Sequence, residues 1–423
     1  MAMVKTTGGY PAPRADIGKA LIALVLLVCL PAALPHMVSV GGVSLLGLFS
    51  AAVAATMLIG VATNPALGPV TARAAFWLLL FWLYDLLGFA WQPMNLAVAQ
   101  DNIVWGGFLF TILFSAHVAR VSPDLVEMVA AFKWPAVAAS GLLMGAAVLF
   151  DVGGNAATLL ALWPCAQLVA DSRSGRAADL IVVLLLLLGM AWLGARIAVG
   201  AVLMMLFLLQ AVEGRWSNPF RKLSRILAGV AVVIGLFIAA SLYISRFRSA
   251  FLVGDQAFEI GGIAINTSGR LYWWNVIYDY ALEHPWLGWG LDVPTVMEHL
   301  DRWSHPHNDY LRLFHHLGLI GLSLWLLFYF RVWRLLLSTA RYLWRVAGNR
   351  AESRVVYAAF LYFSALAVTM VTDNTIVYSF IMFPLGVYLG VSLGLMDRLW
   401  AASVAAGESP SAIADPGAIR SAG

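Results

Sequence analysis

Charge is what this sequence lacks. Of its 423 residues only 11% are Asp, Glu, Lys or Arg, against 61% hydrophobic, where a soluble domain carries about 25% charged residues. That shortage excludes a water-soluble globular fold. Cysteine is scarce too. Cys29 and Cys165 both lie in apolar runs, so no disulfide framework can be built, and both read as packed core thiols. The net charge of +4 is small and the basic residues are scattered between hydrophobic runs, which excludes nucleic acid as a partner. No internal repeat with paired broken helices is visible, which argues against a secondary transporter. Asp85, inside an apolar run, is the main charge that would fit a transport pathway; one buried acid more often pairs within the bundle.

What is present is a succession of apolar runs. A bilayer crossing needs about 20 such residues. Twelve runs qualify as candidates: 17–35, 40–62, 72–91, 101–119, 133–150, 156–171, 178–194, 195–213, 223–245, 308–331, 355–372 and 376–397. The predicted fold is therefore all-α and polytopic, with about 12 transmembrane helices. The first run follows Lys5 and Arg14 and resembles a signal peptide, but so many runs succeed it that an uncleaved first helix is expected. The seventh and eighth are almost contiguous and require a tight hairpin at Gly194. Residues 1–245 would hold nine spans, 246–307 one large loop, 308–400 three more spans, and the Ala-, Ser-, Gly- and Pro-rich residues 401–423 a disordered tail.

With the N-terminus placed in the cytoplasm, 20 of the 26 Lys and Arg residues fall on the cytoplasmic side and six outside. By the positive-inside rule both termini are cytoplasmic and the large loop faces the opposite compartment. The six outside are all arginines: Arg196, Arg246, Arg248, Arg270, Arg302 and Arg312. An arginine stays charged at any working pH and its planar fork matches phosphate oxygens. Arg196, between two apolar spans, and Arg270 are read as an anion clamp, with Arg248 as a further contact; the alternative for each is a structural arginine reaching to the interface.

Six of the eight histidines lie between residues 284 and 316. Residues 270–282 space aromatic and aliphatic side chains for an amphipathic helix with Leu271, Trp274, Ile277 and Tyr278 on one face, and a second short helix is expected over 293–302. Pro285-Trp286-Leu287-Gly288-Trp289-Gly290 must double back. His305-Pro306-His307-Asn308-Asp309 then leads into a span, so His307 and Asn308 stand at a helix mouth, where backbone N–H groups point outward. A histidine there has the chemistry of a general base. A metal set from His305, His307, Asp309 and His316 lacks any strong ligand spacing, and no metal is expected. Asp373-Asn374 read as a turn.

These motifs resemble the signature of the O-antigen ligase and O-antigen polymerase superfamily: a His-Asn pair opening a span, then a Leu-rich stretch ending Gly318-Leu319-Ile320-Gly321, preceded by Arg270, Trp273 or Trp274, and the Pro285–Gly290 turn. Arg196 matches an arginine of that family's earlier helix pair. The resemblance implies an O-antigen ligase of a bacterial inner membrane, active on the periplasmic side. It would transfer a glycan from undecaprenyl diphosphate to lipid A–core oligosaccharide, with inversion and without metal, nucleotide or other cofactor. It implies that Arg196 and Arg270 neutralise the leaving diphosphate and that His307 is the base. Asn308, Trp274, His305 and Arg248 would contact substrate. A polymerase or a protein O-oligosaccharyltransferase shares the same motifs.

Overall fold

The computed structural model describes residues 12–30, 39–40, 43–63, 67–90, 96–150, 154–213, 235, 243, 257–260, 263–266, 270–290, 306–347 and 351–407. Ten helices come first: α1 Ala12–Cys29, α2 Leu45–Thr63, α3 Pro69–Leu87, α4 Leu96–Val121, α5 Leu125–Ala131, α6 Lys133–Phe150, α7 Gly154–Leu160, α8 Leu162–Ser172, α9 Ala177–Trp192 and α10 Arg196–Glu213. Four more follow: α11 Arg270–Glu283, α12 Asp309–Ala347, α13 Ala351–Thr369 and α14 Ser379–Ala405. Two short antiparallel ribbons, β1 Ser39–Val40 with β2 Val43–Ser44 and β3 Ala257–Ile260 with β4 Ile263–Asn266, and two 3-10 turns, Gly88–Ala90 and Thr375–Val377, complete the described elements.

The centre is the pair α4–α14. Three glycines four residues apart let α14 lie directly on α4. A Cβ on Gly390 would come 2.4 Å from the Ile112 carbonyl oxygen, one on Gly394 2.3 Å from that of Ala116, and Gly386 faces Thr111. Small residues at that spacing allow backbones to approach where lipid offers no hydrophobic drive between helices. Around the pair, Phe81, Trp105, Trp325, Phe328 and Phe363 pack as tilted and edge-on rings. Asp397 of α14 accepts hydrogen bonds from Val70 N–H (2.7 Å) and the Thr71 hydroxyl (2.5 Å), so it caps the first turn of α3. The outermost helices turn Leu142, Leu149, Phe150, Ile181, Leu185 and Leu188 outward, as lipid-facing surfaces require. The chain is a polytopic all-α membrane protein.

Among the described residues, six helices are long and apolar enough to cross a bilayer: Pro69–Ala90, Ala99–Val121, Leu125–Phe150, Asp309–Trp344, Ala351–Thr369 and Ser379–Ala405. Gly47–Thr63, Ala177–Trp192 and Arg196–Leu209 are apolar but shorter. The expected sixth span is divided into α7 and α8 ahead of Pro164, whose ring cannot supply an N–H to the preceding turn. The ninth, 223–245, lies outside the described residues apart from 235 and 243, and the expected helix 293–302 lies outside them entirely. α14 runs on through Ala405, into the stretch expected to be disordered, because its first alanines favour helix; 408–423 are not among the described residues.

Candidate active site

Three helices begin close together, and each begins with one of the residues singled out above. The α9–α10 hairpin closes as anticipated at Gly194. That residue adopts φ 72°, its N–H donates to Ala191, and the next N–H, Ala195, donates to Met190. This two-bond C-cap needs a left-handed residue, which glycine supplies without strain. Two residues later Arg196 starts α10. Arg270 starts α11. His307 and Asn308 precede α12, where the Asn308 Oδ1 accepts the Leu311 N–H at 3.0 Å and so caps the helix. Helix N-termini carry partial positive charge and outward N–H groups, so three of them side by side favour an anion.

The turn between α13 and α14 brings them together. The Arg270 Nη1 donates to the Thr372 carbonyl at 2.7 Å, and its guanidinium lies in the field of Asp373 and close enough to Arg196 for the two charges to act on each other. His307 Nδ1 is 3.8 Å from Asp373 Oδ1, beyond a hydrogen bond but within ion-pair reach. Asp373 is buried and well supplied with donors: Asn374 N–H (2.8 Å) and the Tyr378 hydroxyl (3.3 Å) to Oδ1, and the Asn155 side-chain amide (2.8 Å) to Oδ2. Burial pushes its carboxyl up, but His307, Asn155 and the Asn374 N–H together outweigh that and hold it below the usual carboxylate value. For Arg270 burial is the largest influence and disfavours the charge, while Asp373 and Tyr378 support it; a guanidinium remains charged regardless.

His307 itself is strained. Its φ is 48°, a left-handed conformation that costs a non-glycine residue about 1–3 kcal/mol. Such a cost persists only where the surroundings impose it. Here Trp274 Nε1 donates to the Pro306 carbonyl at 2.8 Å and Asp309 N–H to the Met370 carbonyl at 2.8 Å, which pins the chain on both sides of His307.

The expected residues therefore divide into three groups. Arg270 and His307 meet at Thr372 and Asp373, and Arg196 lies within electrostatic reach of Arg270. Trp274 and Asn308 are beside them, with the Trp274 indole N–H and the Asn308 side-chain oxygen committed to main chain. Arg248 and His305 lie outside the described residues. On α11 the buried face is Ile277 and Ala281, while Leu271 and Tyr278 of the predicted face are exposed, because the helix packs along its i, i+4 line on α12 rather than through all four residues. Arg312, one of the six outward arginines, is buried and pairs with Asp101 of α4; Asp85 lies beside Asn102 in the field of that pair. Among the described residues no three His, Cys, Asp or Glu side chains converge as a metal site would require. Asn155 escaped the sequence reading, and Asp373 was read there as part of a turn and not as a site residue. The one available signal was an acid in an otherwise apolar stretch at the head of the last span.

The family model that matches this chain is described as O-antigen ligase and covers residues 181–326, a stretch that holds Arg196, Arg270 and His307 but stops short of Asp373. No curated protein matches the chain. Arg196, Arg270 and His307, at the starts of α10, α11 and α12, all lie inside the stretch that is similar to the O-antigen ligase family.

Proposed function

We propose that this protein is an O-antigen ligase that moves a glycan from undecaprenyl diphosphate to a sugar hydroxyl of lipid A–core oligosaccharide. The observation that carries the reading is the meeting of two guanidiniums, one histidine and three helix starts around the Asp373 turn. A diphosphate ester leaves as an anion, and positive groups fixed in advance where that charge develops lower the barrier. Arg196 and Arg270 take that role. His307 presents Nδ1 to Asp373, so Nε2 is the nitrogen that accepts the proton. The acceptor oxygen bonds to the anomeric carbon while the bond from that carbon to the diphosphate breaks. The electron pair leaves with undecaprenyl diphosphate and the proton passes to His307. One displacement inverts the anomeric configuration, and neither metal nor cofactor is written into it. Asn308, Trp274, Arg248 and His305 are assigned to the substrate path around this centre.

The reaction would take place at the periplasmic leaflet of a bacterial inner membrane, with both chain termini cytoplasmic. The arginine asymmetry of the sequence supports this orientation. Single cysteines placed at Arg270 and Arg341 test it: an impermeant thiol reagent should label position 270 in spheroplasts and reach position 341 only after lysis. Background is low because Cys29 and Cys165 are buried.

The decisive experiment incubates purified protein with lipid-linked O-antigen and rough lipopolysaccharide, with a chelator present. Transfer to the lipopolysaccharide is expected. Growth of the lipid-linked glycan instead, with no lipopolysaccharide product, would make the protein a polymerase.

A further inference from the structure

α12 is not one helix. At Gly318 the backbone takes φ 62° and ψ −167°, a conformation open only to glycine. The break divides α12 into a short helix, Asp309–Leu317, that carries the His307 mouth, and the long helix that follows. Broken hydrogen bonds inside a membrane must be replaced, and five of the groups at the break find partners elsewhere. The His315 and His316 carbonyls accept from Trp289 N–H (2.8 Å) and Gly290 N–H (2.7 Å). The Leu317 carbonyl accepts from the Tyr84 hydroxyl at 3.2 Å. On the far side, Leu319 N–H donates to the Pro285 carbonyl (2.8 Å) and Ile320 N–H to that of Trp286 (3.3 Å). The turn Pro285–Gly290 is thus docked, backbone to backbone, in the gap.

The fit leaves no room for a side chain. A Cβ on Gly318 would lie 2.2 Å from the Trp286 carbonyl oxygen, and one on Gly288 (φ 74°) 2.4 Å from that of His316. The turn is also the direct continuation of α11. Trp274 bonds Pro306, Tyr278 packs on Phe314 with ring centres 6.1 Å apart, and Trp289 bonds His315. The matched pairs advance in the same direction along both segments, so α11 and the short helix run parallel with their starts at one end. The other flank of the short helix is tied to α4 by the buried Arg312–Asp101 pair and to α13 by the Tyr310 hydroxyl, which donates to the Ala367 carbonyl at 3.0 Å.

We propose that Gly318, Gly288 and Tyr84 form a positioning clamp, which locks the helix bearing Arg270 to the half-helix bearing His307 and so fixes the leaving-group contact relative to the base. The inference rests on the roles given to Arg270 and His307 above. None of the three clamp residues touches the reacting atoms; each acts through the register of the two helices. With Gly318→Ala the chain escapes the forbidden conformation by moving toward a continuous helix, which expels the turn and swings His307 away from Arg270.

The test uses full-length protein spin-labelled at cysteines replacing the exposed Tyr272 and Phe330. Gly318→Ala should change the label separation by several ångströms, on the order of one helical turn (~5 Å). It should also lower kcat about 100-fold, the scale expected when a reacting group is misplaced by ~1 Å. The KM for a fluorescent undecaprenyl-diphosphate glycan should stay within about threefold, because the arginine contacts persist. Tyr84→Phe removes one replacement donor and should lower kcat about 2- to 10-fold with the same KM; it carries the test if Gly318→Ala does not fold. Wild-type kcat in both folded variants, or lost kcat with unchanged separation, would overturn the clamp. Full activity of His307→Ala would defeat the catalytic reading instead and leave the separation measurement standing.

Discussion

The two ends of the bundle treat charge in opposite ways. Asp179 starts α9 and Arg196 follows its end; Arg354 starts α13 and Asp373 follows its end. The same helices thus carry one polar cluster at each end, tens of ångströms apart at ~1.5 Å per residue. At the Lys133 end, ions bond ions. Lys133 pairs with Asp171 and lies 3.4 Å from Asp179, Arg354 Nε is 3.0 Å from Asp171, and Arg173 stacks 3.7 Å from the Trp344 ring centre. At the Asp373 end the buried Arg312–Asp101 pair ties two helices together, but the hydrogen bonds to Arg270 and Asp373 come from neutral groups: a carbonyl for Arg270, and an amide side chain, an N–H and a phenol for Asp373. Direct pairing closes a charge off and makes a strut. Neutral support keeps a buried charge in place while leaving its field available to something that arrives later.

The sharpest break in that contrast is His307→Ala. Loss of a general base removes about 100- to 10,000-fold in rate, and here the protein should still insert and bind lipid-linked donor. Initial rates at matched expression, beside His305→Ala as the control, measure it. Arg196→Ala and Arg270→Ala should also reduce transfer to near background, with Lys restoring only part because it lacks the fork. A wild-type rate in both would mean that the neutral support serves some other purpose. Lys133→Ala should do the reverse. Asp171 keeps Arg354, but buried Asp179 loses its cation, and breaking a buried pair costs about 3–5 kcal/mol, read as a fall in Tm, while transfer per folded molecule stays unchanged. The smallest effect belongs to Asp373→Asn examined against pH. The depressed carboxyl stabilises the fold above its unfolded value near ~4, and that contribution disappears as pH falls through the lower, folded value. The Tm gap between wild type and Asp373→Asn should therefore hold from pH 7 to about pH 5 and close under stronger acid.

Much of this was legible in the sequence, for definite reasons. Gly194 announced its hairpin because two apolar runs abutted there. Arg196, Arg270 and His307 stood out because charge is scarce and a short motif surrounds each. Asp373 did not, since its meaning comes from Asn155, 218 residues earlier, and His307, 66 residues earlier. Gly318 was hidden for a similar reason. Leu317-Gly318-Leu319-Ile320-Gly321 reads as unbroken apolar helix, and the turn that makes a break affordable lies some thirty residues upstream. Local patterns reveal elements and turns, whereas a backbone defect repaired from a distance leaves only its glycine behind.

The seam of glycines between α4 and α14 has a consequence for the order in which the molecule comes apart. Asp373 is mounted at the head of α14, whose backbone is in contact with α4 and surrounded by protein. Arg196 is mounted on the α9–α10 hairpin, where Ile181, Leu184 and Leu188 face outward. Local opening is cheapest where fewest contacts are lost. On warming, the hairpin should exchange its amide hydrogens well before α14 does, so transfer should fade while most of the bundle is still folded. Thermal inactivation would then report the stability of one peripheral hairpin and understate that of the protein.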